Sequence, residues 1–160
     1  MPLIQRQGGS EIIIGRALEL RSWFGCNPLG LRRVVLSTRS SVARIVIGDN
    51  VGISGASIVA ERSVTIGDRV RMGANSTIVD TDFHPINPDE RSLSPSTGAT
   101  AAVTIEDDVF IGMNVLILKG TTIGRGSVIG AGSVVSGVIP ANSVAAGNPV
   151  RVIRSIGCAS

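Results

Sequence analysis

A single histidine is the clearest chemical signal in this 160-residue chain. His84 follows Asp80-Thr81-Asp82-Phe83 and precedes Pro85. Imidazole, with an unperturbed pKa of about 6.5, remains largely neutral near physiological pH and can take a proton from a hydroxyl. If Val79 to Phe83 is extended, Asp80, Asp82 and His84 share one face. The two aspartates then orient the ring or contact a ligand's hydroxyls, or else they cap the turn of the loop. Both readings stay open on sequence. A metal site of the three-histidine zinc type is excluded by the single histidine. Cys26 and Cys158 lie outside any CxxC or metal spacing, so no disulfide framework is expected, and neither has a second histidine for thiol catalysis.

His84 sits in a break from about Val79 to Ala102 that holds Pro85, Pro88 and Pro95 with several Ser and Thr. Such a stretch reads as a loop, and a loop of this length in a compact domain is usually functional. Around it runs a six-residue period. Ile47-Gly48-Asp49-Asn50-Val51-Gly52 is one unit, and units headed by Ile53 and Val59 follow. One residue is inserted after Val64, and the count resumes at Ile66 and Met72. The register breaks after Ile78 and returns at Ile105. It then continues through Ile111, Ile117, Ile123, Ile129 and Val135, with fifth positions at Val115, Thr121, Ser127, Ser133 and Ile139. The same spacing touches Ile14-Gly15, but Arg21 to Arg44 does not carry it.

Positions one and five of each hexad point inward, as alternation along a short strand requires. Gly, Asp and Asn between them tolerate the positive φ of a tight corner. Each hexad makes one flat side, and three sides close a turn of 18 residues. Stacked turns pair through backbone hydrogen bonds at roughly 4.8 Å. About six turns give a prism on the order of 30 Å tall by that spacing. The predicted class is all-β, a parallel β-helix with one protruding loop at about 79–102 and a tail over 140–160, all in one domain of residues 1–160. An amphipathic helix needs a period near 3.6, and a sandwich needs hairpins every 8–12 residues. Handedness does not follow from the period, and parallel crossovers are normally right-handed.

These hexads resemble the hexapeptide-repeat acyltransferases. The likeness is strongest to the maltose, galactoside and polysaccharide O-acetyltransferases. Asp80-Thr81-Asp82-Phe83-His84-Pro85 with Asn87-Pro88-Asp89-Glu90-Arg91 carries it, as do Ile105 to Val115 and Ile129-Gly130-Ala131-Gly132-Ser133-Val134-Val135. The run on from Ile139 through Asn148-Pro149 to Arg154 is the most distinctive part. The match covers about Ile45 to Arg154. The resemblance implies a left-handed prism, and acetyl transfer from acetyl-CoA straight to a sugar-like hydroxyl with His84 as general base. It assigns Phe110, Met113, Ala131, Ser136, Arg151 and Arg154 to the coenzyme groove, the arginines gripping phosphates. It assigns Asp80, Asp82 and Ser54 to the acceptor. Phe110 stands where relatives often have Trp, and Ile53-Ser54-Gly55 stands where they have an Asn-rich turn, with Ser54 as the substitute. It also implies a homotrimer with sites between subunits. No metal is called for in the chemistry.

Composition fits that expectation. The hydrophobic share is 43% but the aromatic share only 2%, so the core must be built from Val, Ile, Leu and Ala. The net charge is +3 and all basic residues but Lys119 are Arg. Lys119 and Arg125 are weaker candidates for the coenzyme, since both fit ordinary hexad corners. Nucleic-acid binding would want a basic stripe with stacking aromatics, and neither occurs. Met1 to Gly15 has no apolar leader, and no apolar stretch reaches spanning length, so a cytoplasmic location without membrane insertion is expected. Two other functions compete. One is a xenobiotic or other small-molecule acetyltransferase, though such enzymes usually carry a longer helical tail. The other is a non-catalytic scaffold, which predicts no thioester cleavage.

Overall fold

A computed structural model describes residues 1–23, 25, 30–94 and 98–157 of the chain. Cys26, Cys158 and Pro95, named above, lie outside the described residues. On each pass the backbone lays one short strand on each of three faces. The first face stacks Leu3–Gln5, Val35–Thr38, Ser57–Ala60, Thr77–Val79, Leu116–Ile117 and Val134–Val135. The second stacks Glu11–Ile14, Arg44–Ile47, Ser63–Ile66, Val103–Ile105, Thr122–Ile123 and Val138–Ile139. The third stacks Glu19–Arg21, Gly52–Ser54, Arg71–Met72, Phe110–Ile111, Val128–Ile129 and Ser143–Ala146. Six turns result, and the coil winds left-handed, against the usual crossover rule.

The core is a set of vertical columns. On the second face Ile47 pairs with Ile66, Ile66 with Ile105, Ile105 with Ile123, and Ile123 with Ile139. All five are buried, each worth about 1.5–3 kcal/mol of apolar burial. Small hydroxyls fill the inward corners lower down. Ser76, Thr121, Ser127 and Ser133 are buried, and each donates to a corner carbonyl at 2.6–2.9 Å. This satisfies groups that the corners would otherwise strand.

The period holds only in part. Ile105 to Ile123 is a step of eighteen residues, but Ile58 pairs with Ile78, twenty residues on. The two extra residues lie between Ile58 and Ile66, while the preceding corner at Gly55-Ala56 is one residue short, since Ile53 to Ile58 is five residues and Met72 to Ile78 is six. In that short corner Gly55 has φ +61° and Ala56 is buried. Ile58 and Ala60 therefore point inward, while Val59, expected to head a hexad, is only half-buried. The coil also starts earlier than the period suggests, at Leu3. Its first turn is hidden in the sequence because the connections Arg6–Ser10 and Ser22–Val34 are not hexads. Some corner glycines need a different account from positive φ. Gly112 has no positive φ, but a Cβ there would lie 2.6 Å from the Ala131 nitrogen of the next turn. Close stacking excludes a side chain there, whereas the left-handed corner positions are shared between glycines such as Gly120, Gly126 and Gly132 and the residues Asn50, Asn75, Asp108, Asn114 and Asn142, with Arg69 as well.

The tail is not merely a tail. Arg151–Ser155 returns antiparallel to Ser143–Ala146 and extends the third face by a seventh strand. The loop after Val79 is not wholly irregular either. It carries a short helix, Pro88–Leu93, capped by Asn87, whose side chain accepts from the Asp89 and Glu90 amides. Among the described residues no helix is long and apolar enough to cross a membrane.

Candidate active site

The loop leaves the prism at the fourth turn, between the strands Thr77–Val79 and Val103–Ile105. Its root is Asp80, which is fully buried. One carboxylate oxygen accepts from the Glu61 amide at 2.7 Å, and the other from the Arg62 and Ser63 amides at 2.7 and 2.6 Å. Asp80 thus holds the corner of the preceding turn, and its oxygens face the scaffold rather than a ligand. The two legs of the loop run antiparallel above it. Thr81 bridges Thr100, the Asp82 amide donates to Ala99, and the Ala101 amide donates to Asp80.

Next the chain makes a γ-turn. The His84 amide donates to the Asp82 carbonyl at 2.7 Å, and Phe83 has φ +62°. That conformation is strained for an aromatic residue and calls for support from its surroundings. The support is visible. The Arg39 guanidinium lies 5.3 Å from the centre of the Phe83 ring. Asp82 Oδ2 lies 3.1 Å from Lys119 Nζ. The approach is off the hydrogen-bonding angle, so the contact is an ion pair rather than a hydrogen bond. Arg91 donates to the Pro85 and Ile86 carbonyls at 3.0 Å each. Gly98 lies against the turn, where a Cβ would come within 2.6 Å of both the Phe83 and His84 nitrogens. His84 itself is exposed. The expectation that Asp80, Asp82 and His84 share one extended face fails, because the left-handed Phe83 breaks the run.

The remaining predicted residues fall into separate groups. Pleat alternation puts Glu19, Gly52, Arg71, Phe110, Val128 and Val144 in one outward column of the third face. Ser54 and Phe110 line one pocket there, together with Glu19, Arg21, Gly52, Arg71 and Gly73. Met113 and Ala131 lie on the corner from the third face to the first, one turn apart, joined through the Gly132 amide and the Met113 carbonyl at 2.9 Å. Ser136 lies on the opposite side of the first face, at the same prism edge as the loop but two turns further on. Arg151 and Arg154 stand on the antiparallel strand, both exposed, and neither forms an ion pair among the described residues. Sequence reasoning missed Arg21, Arg71 and Gly98 altogether, and weighed Lys119 only as a weaker coenzyme candidate, not as the partner of Asp82. The register of the upper turns, once known, would have placed Arg71 beside Phe110.

Residues 102–137 match the family profile of the bacterial transferase hexapeptide (six repeats), and 63–79 match the hexapeptide repeat of succinyl-transferase. A maltose O-acetyltransferase from Clostridium difficile 630 is 30% identical with a TM-score of 0.63, over 94% of this chain and 70% of that one. The chain belongs to the hexapeptide-repeat acyltransferases. A galactoside acetyltransferase solved in complex with coenzyme A is 38% identical with a TM-score of 0.70, over 89% of this chain and 66% of that one. The galactoside O-acetyltransferase of Escherichia coli (strain K12) is 46% identical over 99 residues, 62% of this chain and 47% of that protein. The chain spans about half the length of the curated relatives it matches.

In this hexapeptide-repeat acyltransferase the charges on the corner between the second and third faces serve the scaffold. The Asp49 amide donates to Asp68, and the Asp68 amide to Asp107, turn upon turn. The Arg16 amide, helped by its guanidinium, holds the Asp49 carboxyl below the usual range, and the Arg69 guanidinium does the same for Asp108. Arg69 donates to both Asp108 oxygens at 2.6 and 2.8 Å, which supports an arginine at φ +57°. An exposed imidazole stands on one edge of the prism, and Arg151 and Arg154 stand at the opposite end of the third face from its pocket.

Proposed function

We propose that this chain is an acetyl-CoA-dependent O-acetyltransferase that acetylates a hydroxyl of a sugar or glycan precursor, with His84 as general base. The observation that carries it is the presentation of His84. A strained γ-turn, buttressed on several sides, holds one imidazole in the open at the level of the fourth turn. In the reaction, neutral His84 accepts the acceptor's hydroxyl proton as its oxygen attacks the thioester carbonyl. Backbone N–H groups meet the tetrahedral oxyanion. The intermediate collapses, the C–S bond breaks, and His84 returns its proton to the departing thiolate. The ion pair of Asp82 with Lys119 steadies the turn. Phe110, Met113 and Ala131 flank the pantetheine arm, Ser136 contributes from the loop's edge, and Arg151 and Arg154 hold phosphate in two-pronged contacts. The solved galactoside acetyltransferase with its coenzyme A supports the donor. A cytoplasmic location belongs to the same reading.

Within one chain the loop that carries His84 leaves between the first and second faces, away from the third-face pocket, so in this reading the site is complete only between copies. A closed threefold homotrimer supplies the missing edge three times over. Light scattering is expected to give three times the 16.5 kDa of one chain. A mass of one chain at working concentration would end the trimer.

Thiol release from acetyl-CoA, measured against a panel of sugars and nucleotide sugars, tests the activity. Acceptor-dependent release is expected, and its absence with every acceptor would count against the reading. Gly98→Ala supplies a positioning test. Its methyl cannot fit against the Phe83–His84 backbone, so the turn must shift. A displacement near 1 Å costs up to about 10²-fold in rate. The expected result is a fall of tenfold or more in kcat with the KM for acetyl-CoA unchanged. Wild-type kinetics in this variant would show that the turn does not position the base.

A further inference from the structure

We infer that the acceptor carries a carboxylate, as a uronic or sialic acid does, and that Arg21 and Arg71 on the third face read it. This rests on the acetyltransferase reading above and adds the class of sugar. The pocket spans the first four turns of the third face. Arg21 comes from the first turn, Ser54 from the second, Arg71 from the third and Phe110 from the fourth. Arg21 makes no ion pair among the described residues, and neither does Arg71. Arg71 is nonetheless held in place. One of its guanidinium nitrogens donates to the Asn50 carbonyl. Its side chain lies over Gly52, where even a Cβ would come within 3.2 Å of it. A larger residue at 52 would push the guanidinium off the face.

The charge of the pocket selects the ligand. Arg21 and Arg71 bring two positive charges and Glu19 one negative, leaving a single net positive charge. One carboxylate balances that, and a planar guanidinium grips it with two parallel hydrogen bonds. A dianionic phosphate would be left in excess beside Glu19. Ser54 offers a hydroxyl to the sugar's own, and the half-exposed Phe110 ring, at 50%, offers a face for its C–H side.

The layout leaves this pocket to the acceptor. Arg154 pairs with Val144 on the far side of the third face. Six strand spacings separate it from Arg21, roughly 29 Å. Donor phosphates at Arg151 and Arg154 direct the thioester back toward Phe110 in the fourth turn. The loop bearing His84 leaves the prism at that same turn. In a ring of copies with parallel axes, a neighbour's His84 therefore reaches the level where the donor ends and the pocket begins.

Methyl glucuronide and galacturonide, each compared with the methyl glucoside or galactoside, test this on the assembled protein. The pairs differ only in a carboxylate for a hydroxymethyl. The expected kcat/KM favours the acids by tenfold or more, and Arg71→Gln and Arg21→Gln each cut that ratio about tenfold, the usual worth of a charge-assisted hydrogen bond. A preference for the neutral sugars, or a ratio that neither variant moves, overturns the inference while leaving the acetyltransferase standing. If no sugar is acetylated, the acetyltransferase reading fails, and calorimetric titration of the same glycosides decides the pocket. Uronide binding weakened about tenfold in Arg71→Gln keeps the acidic ligand, and no uronide binding removes it.

Discussion

Replacing His84 by alanine is expected to lower kcat/KM by on the order of 10²–10⁴-fold, the range for losing a general base. That corresponds to about 3–5 kcal/mol of transition-state stabilisation at 1.36 kcal/mol per tenfold. The side chain is exposed, so its truncation opens no core cavity, and stability should move by no more than about 0.5 kcal/mol. The Kd for acetyl-CoA should hold, because the imidazole acts on the acceptor's proton. A His84→Ala protein as active as its parent would remove the base from the mechanism. A variant that loses activity together with acetyl-CoA binding or thermal stability would show that the ring holds the loop rather than the proton.

Asp80→Ala is expected to act in the opposite way, on stability first. Three backbone amides of the preceding corner donate to this one buried carboxylate at 2.6–2.7 Å. Hydrogen bonds to a charged group are worth about 1.5–3 kcal/mol each, and amides left without partners add their own desolvation cost. These effects overlap, so about 3–5 kcal/mol in total is a reasonable scale. At about 2–4 °C per kcal/mol for a chain of this size, Tm should fall by roughly 6–20 °C. Asp80→Asn, which keeps one acceptor oxygen, should lose less. Both variants, if folded, should retain acetyl-CoA binding. If Asp80→Ala melts like the parent and yet loses its activity, the residue belongs to the acceptor site after all.

The contrast between these two residues shows where sequence reasoning stopped. Asp80 and His84 are four positions apart and look alike as members of one polar cluster. Their fates diverge because Phe83 takes a positive φ, and nothing in its residue type announces that. A γ-turn is stabilised by what surrounds it, here Arg39, Gly98 and Lys119, and those contacts arise from three separate segments of the chain. Gly98 could not be recognised as a positioning residue while the second leg of the loop had no known path.

What the sequence determined by itself was the architecture. A six-residue period admits one geometry, a strand and a corner repeated, so the three-sided coil, its aliphatic columns and the loop that interrupts it were all legible. So was the single imidazole on that loop, because its chemistry needs no neighbour to be named. Register in the upper turns was left to the tertiary structure. A one-residue shift at Gly55-Ala56 moves every later side chain in that stretch to the other face, and only the stacked turns reveal where the shift occurs. The placing of Arg21 and Arg71 in one pocket with Phe110 was decided the same way. They are far apart along the chain and meet only because parallel strands about 4.8 Å apart bring them onto one face.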